Sequence, residues 1–593
     1  MERIITSIIV AMLLILSLHA QQVGSAYIYA PAVITSEQVG TLTTISLNVT
    51  YGNGQVSVIG PSSVGSSTID SAQTAVAYAA SYLGVNKNDY NFIYTINDKN
   101  VSVSGPSAGL AFTVLAISAL SNTSLLHDFT LTGTISYNGS VGLIGGIYDK
   151  AGIAAEKGLS FIIAPYASST SFERFMYYIV QQNYNIPVVM VANVSQALPY
   201  AYGIRQPSMM NYSMAESYNI STIPEANLSC TSCNLSAFSD LTNFTINFTR
   251  QTILGIGSNY SQLKSEMLND TSQYSEIASK GYLYTAADFS FLTFINAFLL
   301  ENVHDANITS ARSLIGNVSN YCAMQTPPQL TNTNYEYVVG GEMRQELGNI
   351  TAANAAAMLN TSQTTDGVLE SIYTAASAAG WCLAANKMYS LAASMNGTPV
   401  AVSPSLANAA NSAIDSASAY GSSTYLDAAI NEYKSGNYAA AIYAATYADT
   451  LDNTLLAENY TTNQMLQIAN SNIENSTFGV WPTEFALQAR FYIDQGTIGR
   501  AVPNSSMIQE GYITSVLAKR MNSANRLISS SFVNTSYGQV PSQQLKELQQ
   551  EISQIYYILV VVTALLIVIL VILLAMLLRN PEKTVPKTRR RIR

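Results

Sequence analysis

The run VSVSGPSAGLAF, Val101 to Phe112, sets a serine between two glycines where an apolar strand-like segment gives way to an apolar helix-like one. A serine so placed is a candidate nucleophile, and Ser107 then needs a base to take its proton. GPSAG satisfies the G-x-S-x-G nucleophile-elbow pattern, which calls for a histidine, and it fits equally the serine enzymes that use a lysine. Histidines are scarce, 3 in the whole chain. His19 falls in an apolar leader, which leaves His127 and His304; no HGGG-type oxyanion loop precedes the serine, and His304 lies in a stretch that reads as helical. A lysine serves instead if it is neutral, which means bringing an ordinary pKa of about 10.4 down to ~7–8 by burial, at about 4 kcal/mol. VGLIGGIYDKAGIAAEKGL offers Lys150, just after a glycine pair. Taken alone, a helical lysine with Asp149 beside it is more often a surface residue.

Other reactive residues carry less. Ser261 and Lys264 form an S-x-x-K, but no K-T-G accompanies them, so the match reads as chance. Cys230 and Cys233 form a C-x-x-C with no second such pair and no His pair near it, which argues against a metal site or a redox motif and for a structural disulfide. With Cys322 and Cys382 the cysteines number 4, so three pairings are open, and in an oxidising compartment two disulfides are expected. No metal and no other cofactor is implied. The net charge of -9 argues against a nucleic-acid partner for the outer part.

The elements that must position these residues follow from pattern. Residues 27–204 alternate between the two periods, with strands at Thr41–Tyr51, Gln55–Ile59, Phe92–Asn97, Phe129–Tyr137, Ser160–Ala164 and Ile186–Ala192, and helices at Asp70–Leu83, Ser107–Ser121 and Gly146–Glu156. That is an α/β domain. Residues 205–250 read as a linker, and 251–554 as an all-helical domain in which TYLDAAINEYKSGNYAAAIYAATYAD looks like one helical hairpin. The ends set the compartment. Residues 1–26 read as a signal peptide, with small residues at Ala20 and at Gly24, Ser25 and Ala26 where a peptidase could cut. Residues 555–578 are apolar throughout, long enough for one transmembrane helix, and the basic tail 579–593 belongs in the cytoplasm by the positive-inside rule. The domains between them then face outward. Charged residues make up 11% of the chain, against about 25% in ordinary soluble proteins. Roughly twenty N-x-S/T sequons from Asn48 to Asn534 suit a glycosylated surface.

Beyond the serine motif, LTGTISYNGSVGLIGGIYDKAGIAAEKGL and FIIAP resemble the proteolytic domain of the Lon proteases, as do Asp70, Ser71 and the helix AQTAVAYAASYL. The resemblance implies a Ser-Lys dyad with Ser107 as nucleophile, Lys150 as general base and Thr132 as the threonine that helps hold the lysine. Backbone amides at the helix start would hold an oxyanion, with Gly105, Pro106 and Gly109 framing it and the glycines letting a substrate approach. Ser104 and Thr134 depart from the family, standing where many members carry an acid before the nucleophile and a glutamate after the TG pair. No G-x-x-x-x-G-K-[ST] occurs, so the ATPase module of soluble Lon is missing and no nucleotide is implied. The chain therefore reads as a membrane-anchored, outward-facing, ATP-independent serine endopeptidase that acts on unfolded or extended polypeptide. One alternative is a catalytically inactive Lon-like surface scaffold whose helical domain binds a partner; another is a protein that cuts only its own chain. The oligomeric state is open, a homo-oligomer included.

Overall fold

A computed structural model describes residues 22–534, apart from 35–38, 61–63, 98–104, 169–170, 213–217, 231–232, 234, 304–305, 362–363 and 454–455. The expected leader up to residue 21, the span 555–578, the tail 579–593, Ser104 and His304 lie outside the described residues.

The first domain is built on a sheet of seven strands. Strands β1 (Gln22–Ile34) and β2 (Val39–Tyr51) pair antiparallel along their whole length. β3 (Val56–Ile59) leads to α1 (Ser66–Leu83), then β4 (Tyr90–Asn97), α2 (Gly109–Ser121) and β5 (Phe129–Leu131). A small hairpin, β6 (Thr134–Ile135) with β7 (Val141–Gly142), precedes α3 (Ile147–Glu156), β8 (Phe161–Pro165), α4 (Phe172–Tyr184), β9 (Val188–Val191) and α5 (Val194–Ala201). The sheet order is β3-β4-β2-β1-β5-β8-β9, parallel from β1 through β9 and between β3 and β4.

Strands covered on both faces read as unbroken apolar runs, and FIIAP is such a strand, buried at every position; FTL is buried likewise, its Thr130 hydroxyl satisfied by the Tyr29 carbonyl. Their side chains alternate: Phe161 and Ile163 join the core under α1, α2 and α5, while Ile162 and Ala164 join the core under α3 and α4. Helix α2, apolar all round, is correspondingly buried through most of its length.

Four expectations are corrected. The leader was expected to end at 26, yet Gly24, Ser25 and Ala26 pair with Val49, Asn48 and Leu47, and a side chain at Gly24 would strike the Ala119 carbonyl. A cut after Ala26 would remove part of β1; one after Ala20 would leave the strand whole. The single strand expected over Phe129–Tyr137 is two, because after Leu131 the backbone leaves the sheet ladder and Gly133 donates to the Ser107 carbonyl. Helix α4, amphipathic but rich in Tyr and Phe, was not expected at all. The expected linker 205–250 ends early, since α6 (Leu235–Gly255) begins inside it with Phe238, Leu241 and Ile246 buried at helical spacing.

The helical part continues with α7 (Ser261–Ser279), α8 (Leu283–Asn302), α9 (Ile308–Ala323), α10 (Tyr335–Thr361), α11 (Thr365–Ser394) and six further helices between Leu406 and Ser530. The expected hairpin is present as Thr424–Lys434 and Tyr438–Leu451, turning at Gly436 with φ 85°. Among the described residues only α8 is long and apolar enough to cross a membrane, and most of it is buried by neighbouring helices, as in a core helix. Disulfides join Cys230 to Cys233 and Cys322 to Cys382. The two parts share a core: Ile162 and Val188 of the sheet and Phe175 and Ile179 of α4 belong to one apolar cluster with Ile253, Met267, Leu300, Val368 and Ile372 from α6, α7, α8 and α11.

Candidate active site

Ser107 lies half-buried in a single 3-10 turn, Pro106–Ala108, that runs straight into α2. Three hydroxyls at the start of α1 hold this turn. Ser67 Oγ accepts from the Gly105 amide at 3.2 Å, Thr68 Oγ1 donates to the Gly105 carbonyl at 3.1 Å, and Ser71 Oγ donates to the Pro106 carbonyl at 3.2 Å. From the other side the Gly133 amide donates to the Ser107 carbonyl at 2.8 Å, and the Leu110 amide to the Gly133 carbonyl at 3.0 Å. The turn is therefore fixed between a helix end and the strand exit after β5.

These bonds revise the framing expected of Gly105, Pro106 and Gly109. The Gly105 amide is already donated to Ser67, Pro106 has no N–H, and the Gly109 amide closes the turn onto the Pro106 carbonyl. The role of the glycines is steric. Gly105 takes φ 121°, a conformation that side chains disfavour, and a Cβ on Gly109 would lie 2.7 Å from both Ile135 Cγ2 and Ser71 Oγ. Gly109 thus lets α2 close on β6 and α1.

Lys150 sits one turn into α3 and is 4% exposed, so the surface reading fails. Its Nζ donates to Thr132 Oγ1 at 3.3 Å, and Thr132 Oγ1 donates to the Ser107 carbonyl at 3.4 Å. Thr132 itself is held at the end of β5, its amide donating to the Ile163 carbonyl of β8 at 2.9 Å. One buried hydroxyl therefore touches both the serine turn and the lysine. Among the described residues no hydrogen bond joins Ser107 Oγ to Lys150 Nζ directly; separations of this kind often shorten only when substrate binds. Burial pushes the Lys150 ammonium down to about 8, against the opposing pull of the Asp366 carboxylate. A lysine neutral near that pH can act as a general base.

Among the described residues the rival assignments do not assemble. His127 lies beyond the C-terminal end of α2 while Ser107 lies at its other end, ~20 Å away at the rise of an α-helix. Its ring stacks on Tyr27 at 4.0 Å. Ser261 begins α7, and Lys264 Nζ donates to the Leu254 and Ile256 carbonyls at 2.7 and 3.0 Å, closing the end of α6. Cys230 and Cys233 are consumed in their disulfide. Among the described residues no group of three or more His, Cys, Asp or Glu could hold a metal ion. Thr134 lies in β6 opposite Gly142, whose missing side chain leaves room for its hydroxyl. Sequence reasoning missed Ser67, Thr68 and Asp366. The run SSTIDS did signal a hydroxyl-rich helix start, but nothing local ties Asp366 to this site.

Residues 19–202 match the family model of the Lon protease (S16) C-terminal proteolytic domain. Similar curated proteins include Lon protease of Finegoldia magna, 31% identical over 132 residues, which are 21% of this chain and 17% of that protein. Lon protease 1 of Bacillus subtilis is 32% identical over 148 residues, 22% of this chain and 19% of that protein. Lon protease 2 of Herpetosiphon aurantiacus is 28% identical over 179 residues, 29% of this chain and 21% of that protein. The chain thus spans about a fifth of the length of these relatives. The part of the chain that the family model covers is the part that holds Ser107, Thr132 and Lys150, and the likeness suggests a serine protease.

Proposed function

We propose that the chain is a serine endopeptidase in which Ser107 attacks the scissile carbonyl and neutral Lys150 takes its proton. The observation that carries this reading is the burial of Lys150 against Thr132, on the same hydroxyl that touches the serine turn. A lysine so desolvated, beside a serine at the start of a helix, is an arrangement suited to activating the hydroxyl and to placing amides near a developing oxyanion. With the Gly105, Ala108 and Gly109 amides donated in holding the turn and Pro106 lacking one, the Ser107 amide is the candidate donor. In the proposal the substrate is unfolded or extended polypeptide and the reaction is independent of ATP, since these 593 residues hold no P-loop motif. Residues 555–578 anchor the protein, with the α/β domain and the helical part outside the cell and the basic tail inside. The sequons of the outer part include its glycan acceptors. The scaffold alternative draws on Thr134 and on the absence of a direct bond from Ser107 to Lys150.

One experiment separates these. A membrane-impermeant, serine-directed acylating probe applied to intact cells should label Ser107 in the wild type, and labelling and cleavage should both be lost in Ser107→Ala and in Lys150→Arg, which keeps the charge but cannot yield its proton. Labelling only after lysis would overturn the orientation. No labelling of folded protein under any condition would leave the scaffold.

A further inference from the structure

The helix that carries Lys150 is capped from outside its own domain. Its N-cap residue, Gly146, has no side chain to offer the first amides of α3. Asp366, in the first turn of α11 and 218 residues from Tyr148, supplies the missing acceptors: Oδ1 and Oδ2 accept from the Tyr148 amide at 3.2 and 3.0 Å. Two helix N-termini, each carrying partial positive charge, meet here, and the buried carboxylate lies between them. It is 8% exposed. The titratable groups facing it are Tyr148, Asp149 and Lys150 of α3 and Tyr184 of α4, while Glu370, one turn along α11, interacts with Glu173 of α4.

Resting on the reading of Lys150 as the base, we propose that Asp366 is a positioning residue for it, so that docking of α11 fixes the lysine helix and sets the charge state of the lysine. Burial pushes Asp366 up to about 7, so it is ionised through the range above that in which Lys150, near 8, gives up its proton. In that range its charge favours the ammonium. Removing the charge while keeping an oxygen at the cap should therefore let Lys150 lose its proton at lower pH. Removing the cap altogether should loosen α3. A purely structural role is a real competitor, because Glu336 caps the helix Val480–Thr497 and Glu484 the start of α8 in the same manner, far from any catalytic residue. Loosening alone would rehydrate Lys150 and move its titration to higher pH, opposite to the shift that loss of the Asp366 charge should give.

The test uses the full chain with Asp366→Asn, which retains shape and an acceptor but no charge, and with Asp366→Ala. Two readouts are taken from pH 6 to 10: cleavage of a fluorescent unstructured protein, and acylation of Lys150 by trace acetic anhydride, followed by peptide mass spectrometry. The second needs no activity. Asp366→Asn should move both midpoints to lower pH by at least ~0.5 unit, and Asp366→Ala should lower the activity plateau by about tenfold or more. Should Asn fail to fold, Asp366→Ser retains a capping oxygen and should give the same shift. An unmoved Lys150 acylation midpoint in whichever uncharged variant folds overturns the proposal. If the wild type cleaves nothing, the protease reading falls, while the acylation curves still decide whether Asp366 governs Lys150.

Discussion

Thr132 is the residue on which the site turns, since its hydroxyl receives Lys150 and reaches the Ser107 carbonyl. Replacing it by Val keeps the β-branched shape demanded at the end of β5 but leaves the Lys150 amine without that partner in a buried setting. A lost hydrogen bond to a buried charge costs about 1–3 kcal/mol, so kcat should fall about 10- to 100-fold while KM changes little, and Thr132→Ser should restore most of it. Activity in the wild type should rise with pH through about 8, where burial has brought Lys150. A flat profile from pH 6 to 9, or a full-rate Thr132→Val, would refute this account. The pattern GPSAG made Ser107 legible in the sequence; Lys150 was legible only through its resemblance to a known interval. Its residue type pointed the wrong way, because the groups that meet this lysine, Thr132 after β5 and Asp366 of α11, are distant in sequence.

At the scale of elements, helices close upon one another through glycines and are fastened by covalent or charged links. Cys322 of α9 and Cys382 of α11 are joined with Cα atoms 5.3 Å apart, and the link runs past Gly348 of α10, where any Cβ would strike Cys382 Sγ. The loop so closed spans 60 residues, and restricting it in the unfolded chain stabilises by about 4 kcal/mol in the chain-entropy model. The double substitution to Ser should therefore lower stability by an amount of that order, read as the shift in denaturant midpoint, and should reach the active site because α11 also carries Asp366. The Cys230–Cys233 link closes only a tight turn, and its loss should cost less than half as much, about 2 kcal/mol in the same model. An unchanged midpoint for the first pair would contradict the model.

For the molecule as a whole, burial pushes several carboxyl groups well above their ordinary range: Asp288 to about 6, Glu336, Asp366 and Glu432 to about 7, Glu342 and Glu484 to about 8. In the unfolded chain these groups lose their protons near pH 4. Because the folded values are raised, the folded state binds more protons than the unfolded between pH 4 and about 8, so stability is greatest at the acid end of that window and declines as pH rises through it. Thermal unfolding should have its midpoint higher at pH 5 than at pH 8.5. A midpoint that climbs over that interval would show that these carboxyls are not the dominant titrating groups. The proposed catalysis by Lys150 would run the other way, gaining as pH rises toward and past 8, so activity and stability should be optimal at different pH.

What the sequence determined by itself was whatever short-range chemistry dictates: the alternation of strand and helix, the apolar strand FIIAP, the helical hairpin turning at Gly436, and a serine at a helix start. Each follows from periods of two and 3.6 residues and from the backbone needs of glycine, which are properties of neighbours along the chain. Tertiary structure decided the rest. The start of β1 at Gln22 depends on a partner strand, α4 depends on the apolar layer it shares with the helical part, the first half of α6 depends on the core that Phe238 and Leu241 join among the later helices, and the division of one expected strand into β5 and β6 depends on the serine turn drawing Gly133 out of the ladder. The burial of Lys150 and its approach by Asp366 belong to this second kind, since desolvation and the field of a distant carboxylate arise only when segments far apart in sequence are packed into one core.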